Sequence, residues 1–133
     1  MVQAVIFEDH TLYRLGMIST LEKTPDIHVA GEAYCEADLF ELLAQMPVDI
    51  VLLGVNIPDH TNCVRIAKRL RCDYPAIKII AVVDEDNTQA IQLIRNVGID
   101  GYISKRKASG KALAKMIWEV AANRGNIKKT VSY

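Results

Sequence analysis

The sequence predicts an α/β domain in which helices cover both faces of a parallel sheet. Five short apolar runs are candidate strands, of which the second is the weakest: Val2–Phe7, Ile27–Ala33, Val48–Val55, Ile77–Val83 and Gly101–Ser104. Continuous runs of branched apolar residues are typical of strands that are buried on both faces. Segments with helical periodicity alternate with these runs. Five β-α repeats imply right-handed crossovers and a doubly wound sheet.

Each predicted helix is an apolar stripe that ends at a proline or a glycine. In chain order, the stripes and the residues that close them are Leu12–Leu21 before Pro25, Ala37–Leu43 before Pro47, Val64–Leu70 before Pro75, Ala90–Val97 before Gly98 and Leu113–Val120 before Gly125. The first stripe consists of Leu12, Leu15, Ile18 and Leu21. We expect residues 1–125 to form one domain and residues 126–133 to be a tail or the start of a linker to an output domain outside this chain.

The composition indicates an ordinary globular domain. The 133 residues are 50% hydrophobic and 24% charged, with a formal net charge of zero. Such a chain is long enough for its own core, and its neutrality argues against a broadly basic nucleic-acid-binding surface. Cys35, Cys63 and Cys72 lack metal-ligand spacing and are expected to be reduced thiols. With no leader peptide and no apolar run of ~20 residues, we expect a cytoplasmic protein without a membrane partner.

The carboxyl ends of the predicted strands mark the candidate site, because ligands of open α/β sheets bind at that edge. Glu8 and Asp9 follow the first strand, and adjacent carboxylates suit a divalent cation such as Mg²⁺. Lys105 follows the fifth strand and suits a phosphoryl oxygen. The alternative is structural: the acidic pair caps the first helix, with Asp9 or Thr11 near its N-terminus.

Three motifs give the chain a resemblance to a known family: "FEDH" after the first strand, "DIVLLGVNIP" at the third and "GIDGYISK" at the fifth. Together they resemble the receiver domain of bacterial two-component response regulators over about residues 2–123. The opening Glu8, Asp9, His10, Arg14, Gly16 and Leu21 is similar to that of receivers which precede a LuxR-type helix-turn-helix domain. The resemblance implies a flavodoxin-like (βα)5 fold with five parallel strands in the order 2-1-3-4-5.

The resemblance also assigns roles at the site. In the family an acidic pair binds Mg²⁺, which Glu8 and Asp9 match, and the backbone carbonyl at the Asn56 position helps to hold the metal. An aspartate at the end of the third strand accepts the phosphoryl group, and Gly54 stands at that position. Because glycine has no carboxylate to attack phosphorus, the acceptor is missing, and Mg²⁺ affinity is expected to be weak or absent.

The other phosphoryl-site positions are altered in part. Val83 stands where the family has a Ser or Thr hydroxyl, whereas Lys105 matches the lysine that contacts the phosphoryl group. Tyr102 matches the aromatic switch residue, and Arg106 replaces a common proline. We therefore interpret the chain as a degenerate receiver. Alternatives are an engineered or erroneous Gly54, phosphorylation at a neighbouring residue such as Asp59, or a small-ligand or anion sensor that uses the vacated pocket.

The functional expectation is a regulatory module rather than an enzyme. The sequence contains no catalytic triad, Gly-rich phosphate loop or metal-spaced His/Cys set. We expect Lys105 to form an ion pair with Glu8 or Asp9, which would hold the domain in one state.

Output would then come from homodimerisation through the fourth and fifth or the first and fifth helices, or from docking to a histidine kinase or other regulator. DNA would be contacted only by the C-terminal output domain. Trp118 is either a core residue or an interface anchor.

Overall fold

The sheet is parallel throughout, with the strand order β2-β1-β3-β4-β5-β6. The computed structural model describes residues 1–55, 61–83, 92, 95–106, 109–122 and 131–132. The strands are β1 Val2–Phe7, β2 Ile27–Ala33, β3 Ile50–Val55, β4 Lys78–Val83, β5 Gly101–Ser104 and β6 Val131–Ser132. The predicted order 2-1-3-4-5 is confirmed. The two-residue β6, which pairs with the start of β5, was not predicted.

The helices lie between the strands as the alternation predicts. They are α1 Thr11–Glu22, α2 Glu36–Gln45, α3 Thr61–Asp73, α4 with described helical residues 92 and 95–97, and α5 Gly110–Ala122. Gly98 has a φ of 98° and donates its backbone N–H to the Arg95 carbonyl oxygen, as expected of a glycine that ends a helix. The cap of α1 is His10, whose Nδ1 accepts from the Tyr13 backbone N–H at 3.2 Å. The predicted cap at Asp9 or Thr11 is therefore wrong.

The two faces of the sheet carry separate cores. Every residue of β3 is buried, because its side chains alternate between the two faces and both are covered. Val51 and Leu53 pack in the cluster that contains residues of α2 and α3. Ile50 and Leu52 pack in the cluster that contains residues of α1 and α5. Within the described part of the chain, no helix is long and apolar enough to cross a bilayer.

The predicted apolar stripe of α1 is wrong in its phase. The buried residues are Arg14, Met17 and Leu21, whereas Leu12 is 77% exposed and Leu15 is 51% exposed. Arg14 can occupy a buried position because its guanidinium bonds to the Glu8 carbonyl oxygen and to the Glu32 carboxylate, which offsets its desolvation. Only Leu21 of the predicted stripe is fully inside.

Trp118 on α5 is 44% exposed, so the interpretation of this residue as part of the core is also wrong. Leu113, Met116, Ile117 and Val120 supply the buried face of that helix.

Candidate functional site

The strand register brings the predicted site residues to one edge of the sheet. Phe7 pairs with Leu53, Gly54 with Val82, and Val83 with Ser104, so Glu8, Gly54 and Lys105 all lie at the carboxyl ends of neighbouring strands. The Lys105 backbone N–H donates to the Val83 carbonyl oxygen at 2.7 Å, which continues the β4–β5 pairing by one residue. Asn56 and Asp59 lie outside the described residues.

Glu8 and Lys105 form an ion pair inside the site. Lys105 Nζ lies 2.8 Å from Glu8 Oε1. The Lys105 side chain is 12% exposed, and the Glu8 side chain is 0% exposed. Glu8 Oε2 accepts the His10 backbone N–H at 2.9 Å. Oε1 accepts no hydrogen bond from the described residues. Its contact with Lys105 is an ion pair, whose attraction is set by the separation of the two charges. Of the two predicted alternatives, the structure contains the pair with Glu8.

The Glu8 side chain occupies the space above Gly54. A Cβ atom built on Gly54 would lie 2.4 Å from Glu8 Oε1, 2.9 Å from Glu8 Cδ and 3.1 Å from the Phe7 carbonyl oxygen. Contacts below 3.0 Å are essentially never made by real Cβ atoms. The Glu8 atoms that this Cβ would meet are the end of a flexible side chain, so a side chain at position 54 would require the Glu8 carboxylate to move. On the other side of the strand end, the Cys63 thiol donates to the Gly54 carbonyl oxygen at 3.1 Å.

Arg14 holds the end of β1 in place. Its Nη1 donates to the Glu8 carbonyl oxygen at 2.8 Å, and its Nε donates to Glu32 Oε1 at 3.1 Å. The guanidinium carbon lies 5.2 Å from the centroid of the Tyr34 ring. The sequence indicated Arg14 only as part of a motif, and this positioning role was not predicted. The sequence feature that could have indicated this role is the position of Arg14, three residues before Met17 and therefore on the buried face of α1.

The remaining positions that the resemblance singles out lie on β4 and β5. Val83 is fully buried in the core cluster of α2 and α3. Ser104 is buried, and its Oγ accepts the Arg106 backbone N–H at 3.2 Å, so this hydroxyl is engaged locally. Tyr102 is half-buried against the same cluster as Val83, and the Arg95 guanidinium carbon lies 5.5 Å from its ring centroid.

The described residues do not fit a Mg²⁺ ion. Mg²⁺ requires near-octahedral oxygen coordination and is usually bound through one or two carboxylates. Here the Glu8 carboxylate is buried against Lys105, Gly54 has no side-chain oxygen, and Asp9 is the one exposed carboxylate of the acidic pair. Among the described residues, no group of three or more His, Cys, Asp and Glu side chains has an arrangement that could hold a metal ion. Weak Mg²⁺ binding stays a prediction.

A cavity of about 320 Å³ adjoins Gly54 on the side of α2 and α3. Its lining is mixed in character: Phe7, Asp9, Tyr34, Cys35, Glu36, Gly54, Asn62, Cys63, Arg65 and Ile66. Arg65 Nη2 donates to Glu36 Oε1 at 2.8 Å, and Arg69 Nη1 donates to Oε2 at 3.1 Å. The hydrogen bond from Arg65, followed by that from Arg69, lowers the pKa of Glu36 against the opposing effect of partial burial.

The sequence matches the response regulator receiver domain family over residues 4–117. The chain therefore belongs to this family, as its motifs predict. The transcriptional regulatory protein DegU of Brevibacillus brevis is 26% identical over 132 residues, which cover 99% of this chain and 55% of DegU. The chain spans about half the length of the curated relatives that it matches.

Solved structures confirm the receiver fold. The isolated REC domain of RcsB from Salmonella enterica serovar Typhimurium, in the apo form, matches with a TM-score of 0.85 at 18% identity, covering 98% of this chain and 92% of that one. A structure of two RcsB dimers bound to two parallel DNAs matches with a TM-score of 0.82 at 19% identity, covering 97% of this chain and 63% of that one. LuxR-family response regulators are also among the structures with this fold.

Proposed function

We propose that this chain is a receiver domain that regulates a transcriptional output without being phosphorylated at position 54. The observation that carries the proposal is the Glu8–Lys105 ion pair, which lies where a side chain of residue 54 would begin. Gly54 provides no nucleophile, and Val83 provides no hydroxyl to hydrogen-bond a phosphoryl oxygen. The chain has no enzymatic role of its own in this proposal.

The ion pair favours a single conformational state. A two-state domain switches only when a ligand binds one state more tightly than the other. Lys105 is already neutralised by Glu8, and both side chains are largely removed from solvent. An incoming anion would have to displace a buried carboxylate that belongs to the protein itself. The domain then acts as a fixed surface rather than as a switch.

That surface is the α1–α5 face, and its partner is a second copy of this chain. Leu12 and Leu15 are large apolar residues that α1 exposes to solvent. A groove of about 230 Å³ lies between the helices and is lined by Leu12, Tyr13, Gly16, Met17, Thr20, Ser109, Gly110 and Leu113. No described atom lies within 4 Å of a Cβ built on Gly16, so the groove is open there. Exposed apolar patches of this kind mark interaction sites.

RcsB, a structural neighbour, assembles as dimers on DNA. By analogy, dimerisation of this receiver would pair two output domains on DNA, in a part of the protein outside this chain. The cysteines of the described residues are free thiols, which suits the cytoplasm, where such a regulator would act.

Sedimentation velocity with and without Mg²⁺ and acetyl phosphate tests the proposal. We expect a dimer whose sedimentation coefficient does not change when the phosphodonor is added. Leu12→Ser with Leu15→Ser should give a monomer because both apolar side chains leave the interface. Tyr34→Ser, which removes an exposed aromatic residue beside the cavity on the α2–α3 side, is the matched control and should remain dimeric. A wild type that dimerises only after acetyl phosphate is added would contradict the proposal.

A second candidate function is small-ligand sensing in the cavity beside Gly54. The observation that favours it is the combination of charged and apolar groups around about 320 Å³. Lys105 is buried against Glu8 and does not line this cavity, so the ligand would be recognised by Asp9, Asn62 and Arg65, whose side chain is 62% exposed although it pairs with Glu36. Native mass spectrometry of freshly purified protein tests this. A retained small molecule that Arg65→Met releases would support ligand sensing, and unliganded protein would argue against it.

A further inference from the structure

We infer that Tyr13 is the positioning residue through which the Glu8–Lys105 ion pair supports the groove between α1 and α5. The observation behind this inference is an aromatic ring that borders both features. The inference rests on the proposed function and deepens it, because the dimer surface would then depend on the charges that remain at the strand ends.

Tyr13 contacts Lys105 and also lines the groove. Lys105 Nζ lies 4.6 Å from the centroid of the Tyr13 ring, which is within the range of a cation–π contact. The same residue lines the groove of about 230 Å³ and packs against the core cluster that contains residues of α1 and α5. A movement of this ring would therefore alter both the surroundings of Lys105 and the wall of the groove.

A second path joins Tyr13 to the same ion pair through the first turn of α1. The Tyr13 backbone N–H donates to His10 Nδ1 at 3.2 Å, and the His10 backbone N–H donates to Glu8 Oε2 at 2.9 Å. Glu8 Oε1 in turn lies 2.8 Å from Lys105 Nζ. The contacts form a closed circuit of four residues, so that both the backbone and the ring of Tyr13 are tied to the ion pair.

The surroundings of Lys105 strengthen its attraction to the ring. The Lys105 side chain is 12% exposed, and a cation–π contact becomes stronger as the cation loses its water. An ammonium group has three donors, so it can pair with a carboxylate and contact a ring at the same time. An aliphatic side chain at position 13 would fill much of the same space without attracting the cation. The aromatic ring therefore sets where residue 13 lies against the groove.

Dimer dissociation constants from sedimentation velocity test the inference in a double-variant cycle. The Glu8→Gln/Lys105→Met variant, called the neutral pair below, removes the cation but keeps an oxygen that can accept the His10 N–H, and it leaves the net charge unchanged. We expect the neutral pair to weaken dimerisation about fivefold in the wild-type background, since cation–π contacts contribute a factor of about 2 to 30. In the Tyr13→Leu background the neutral pair should have no further effect. Equal weakening in both backgrounds, or none in the wild-type background, would overturn the inference.

Tyr13→Phe is the matched variant, because it keeps the ring and removes the hydroxyl group. We expect the neutral pair to weaken dimerisation by the same factor in the Tyr13→Phe background as in the wild type. If Tyr13→Phe instead abolished this response as Tyr13→Leu should, the effect would belong to the hydroxyl group, and the role of the ring would be refuted.

Methyl resonances in nuclear magnetic resonance spectra give a readout that does not need a dimer. Met17 and Leu113 line the groove, and a moving aromatic ring shifts the resonances of methyl groups near it. We expect the neutral pair to shift these resonances in the wild-type background and not in the Tyr13→Leu background, while Leu39 and Leu43 on the other face of the sheet stay unchanged. Unshifted Met17 and Leu113 resonances would overturn the inference. A monomeric wild type would instead contradict the proposed function, and the methyl resonances would still decide whether the ion pair positions Tyr13.

Discussion

Replacing Lys105 with methionine removes the ammonium group but keeps most of the aliphatic side chain. The Glu8 carboxylate, whose side chain is fully buried, then loses the cation that lies 2.8 Å away. At that separation and an effective dielectric constant of about 20, the lost attraction is about 6 kcal/mol. Breaking one partner of a buried pair typically costs about 3–5 kcal/mol. For a chain of this length, such a loss lowers the melting temperature by about 10–18 °C.

Thermal melts and urea unfolding followed by circular dichroism measure this effect. Glu8→Gln removes the charge that is left uncompensated, so the Lys105→Met/Glu8→Gln double variant should recover most of the lost free energy of unfolding. The matched control is Lys115→Met on α5, where the lysine side chain is 65% exposed and lies 4.0 Å from Glu119. An exposed pair of this kind contributes about 0–1 kcal/mol. The reasoning is refuted if Lys105→Met is no less stable than Lys115→Met.

Three further predictions concern polar groups away from the ion pair. Asp100→Ala should lower the free energy of unfolding by about 3 kcal/mol, because this buried carboxylate accepts the Ile79 N–H at 2.8 Å and pairs with Arg71. A urea midpoint equal to that of wild type would contradict this prediction. Arg14→Lys should lower the free energy of unfolding by about 1–3 kcal/mol, since a lysine cannot bond to Glu8 and Glu32 in the same fork geometry. Unchanged stability would argue against the positioning role of Arg14. The pKa of Glu36 is lowered in the folded state, so the ionised Glu36 carboxylate stabilises the fold. This stabilisation is fully present above the unfolded pKa of about 4.3, and it is lost as the pH falls through the folded pKa. The stability difference between wild type and Glu36→Gln, measured by urea unfolding, should therefore be larger at pH 7 than at pH 3, and equal differences would refute this.

The strands could be predicted from the sequence because burial on both faces produces continuous apolar runs. Val51 to Val55 shows this directly, since every side chain of β3 is inside. The phase of α1 could not be predicted in the same way. Arg14 is buried because the Glu32 side chain on β2 and the Glu8 carbonyl oxygen just after β1 satisfy its guanidinium. The periodicity of α1 contains no information about these partners, which lie outside the helix.

The placement of three predicted site residues at one edge of the sheet could be predicted, but their side-chain contacts could not. Glu8, Gly54 and Lys105 could be placed at one edge because parallel strands end together. The choice of Glu8 rather than Asp9 as the partner of Lys105 depends on side-chain direction. The position of the Glu8 carboxylate, 2.4 Å from where a Cβ of residue 54 would lie, likewise depends on side-chain direction, which no sequence pattern encodes. The two-residue β6 likewise has no periodic signal.

The most direct test of phosphorylation-independent function is the intact mass of the wild-type chain after incubation with Mg²⁺ and acetyl phosphate. A receiver that accepts phosphate from acetyl phosphate, treated in the same solution, shows that the donor is active. We predict that the wild-type mass stays unchanged while the reference receiver gains a phosphoryl group, because Gly54 has no carboxylate and Glu8 is held by Lys105. A phosphoryl mass on the wild type, at Glu8 or at any other residue, would contradict the account.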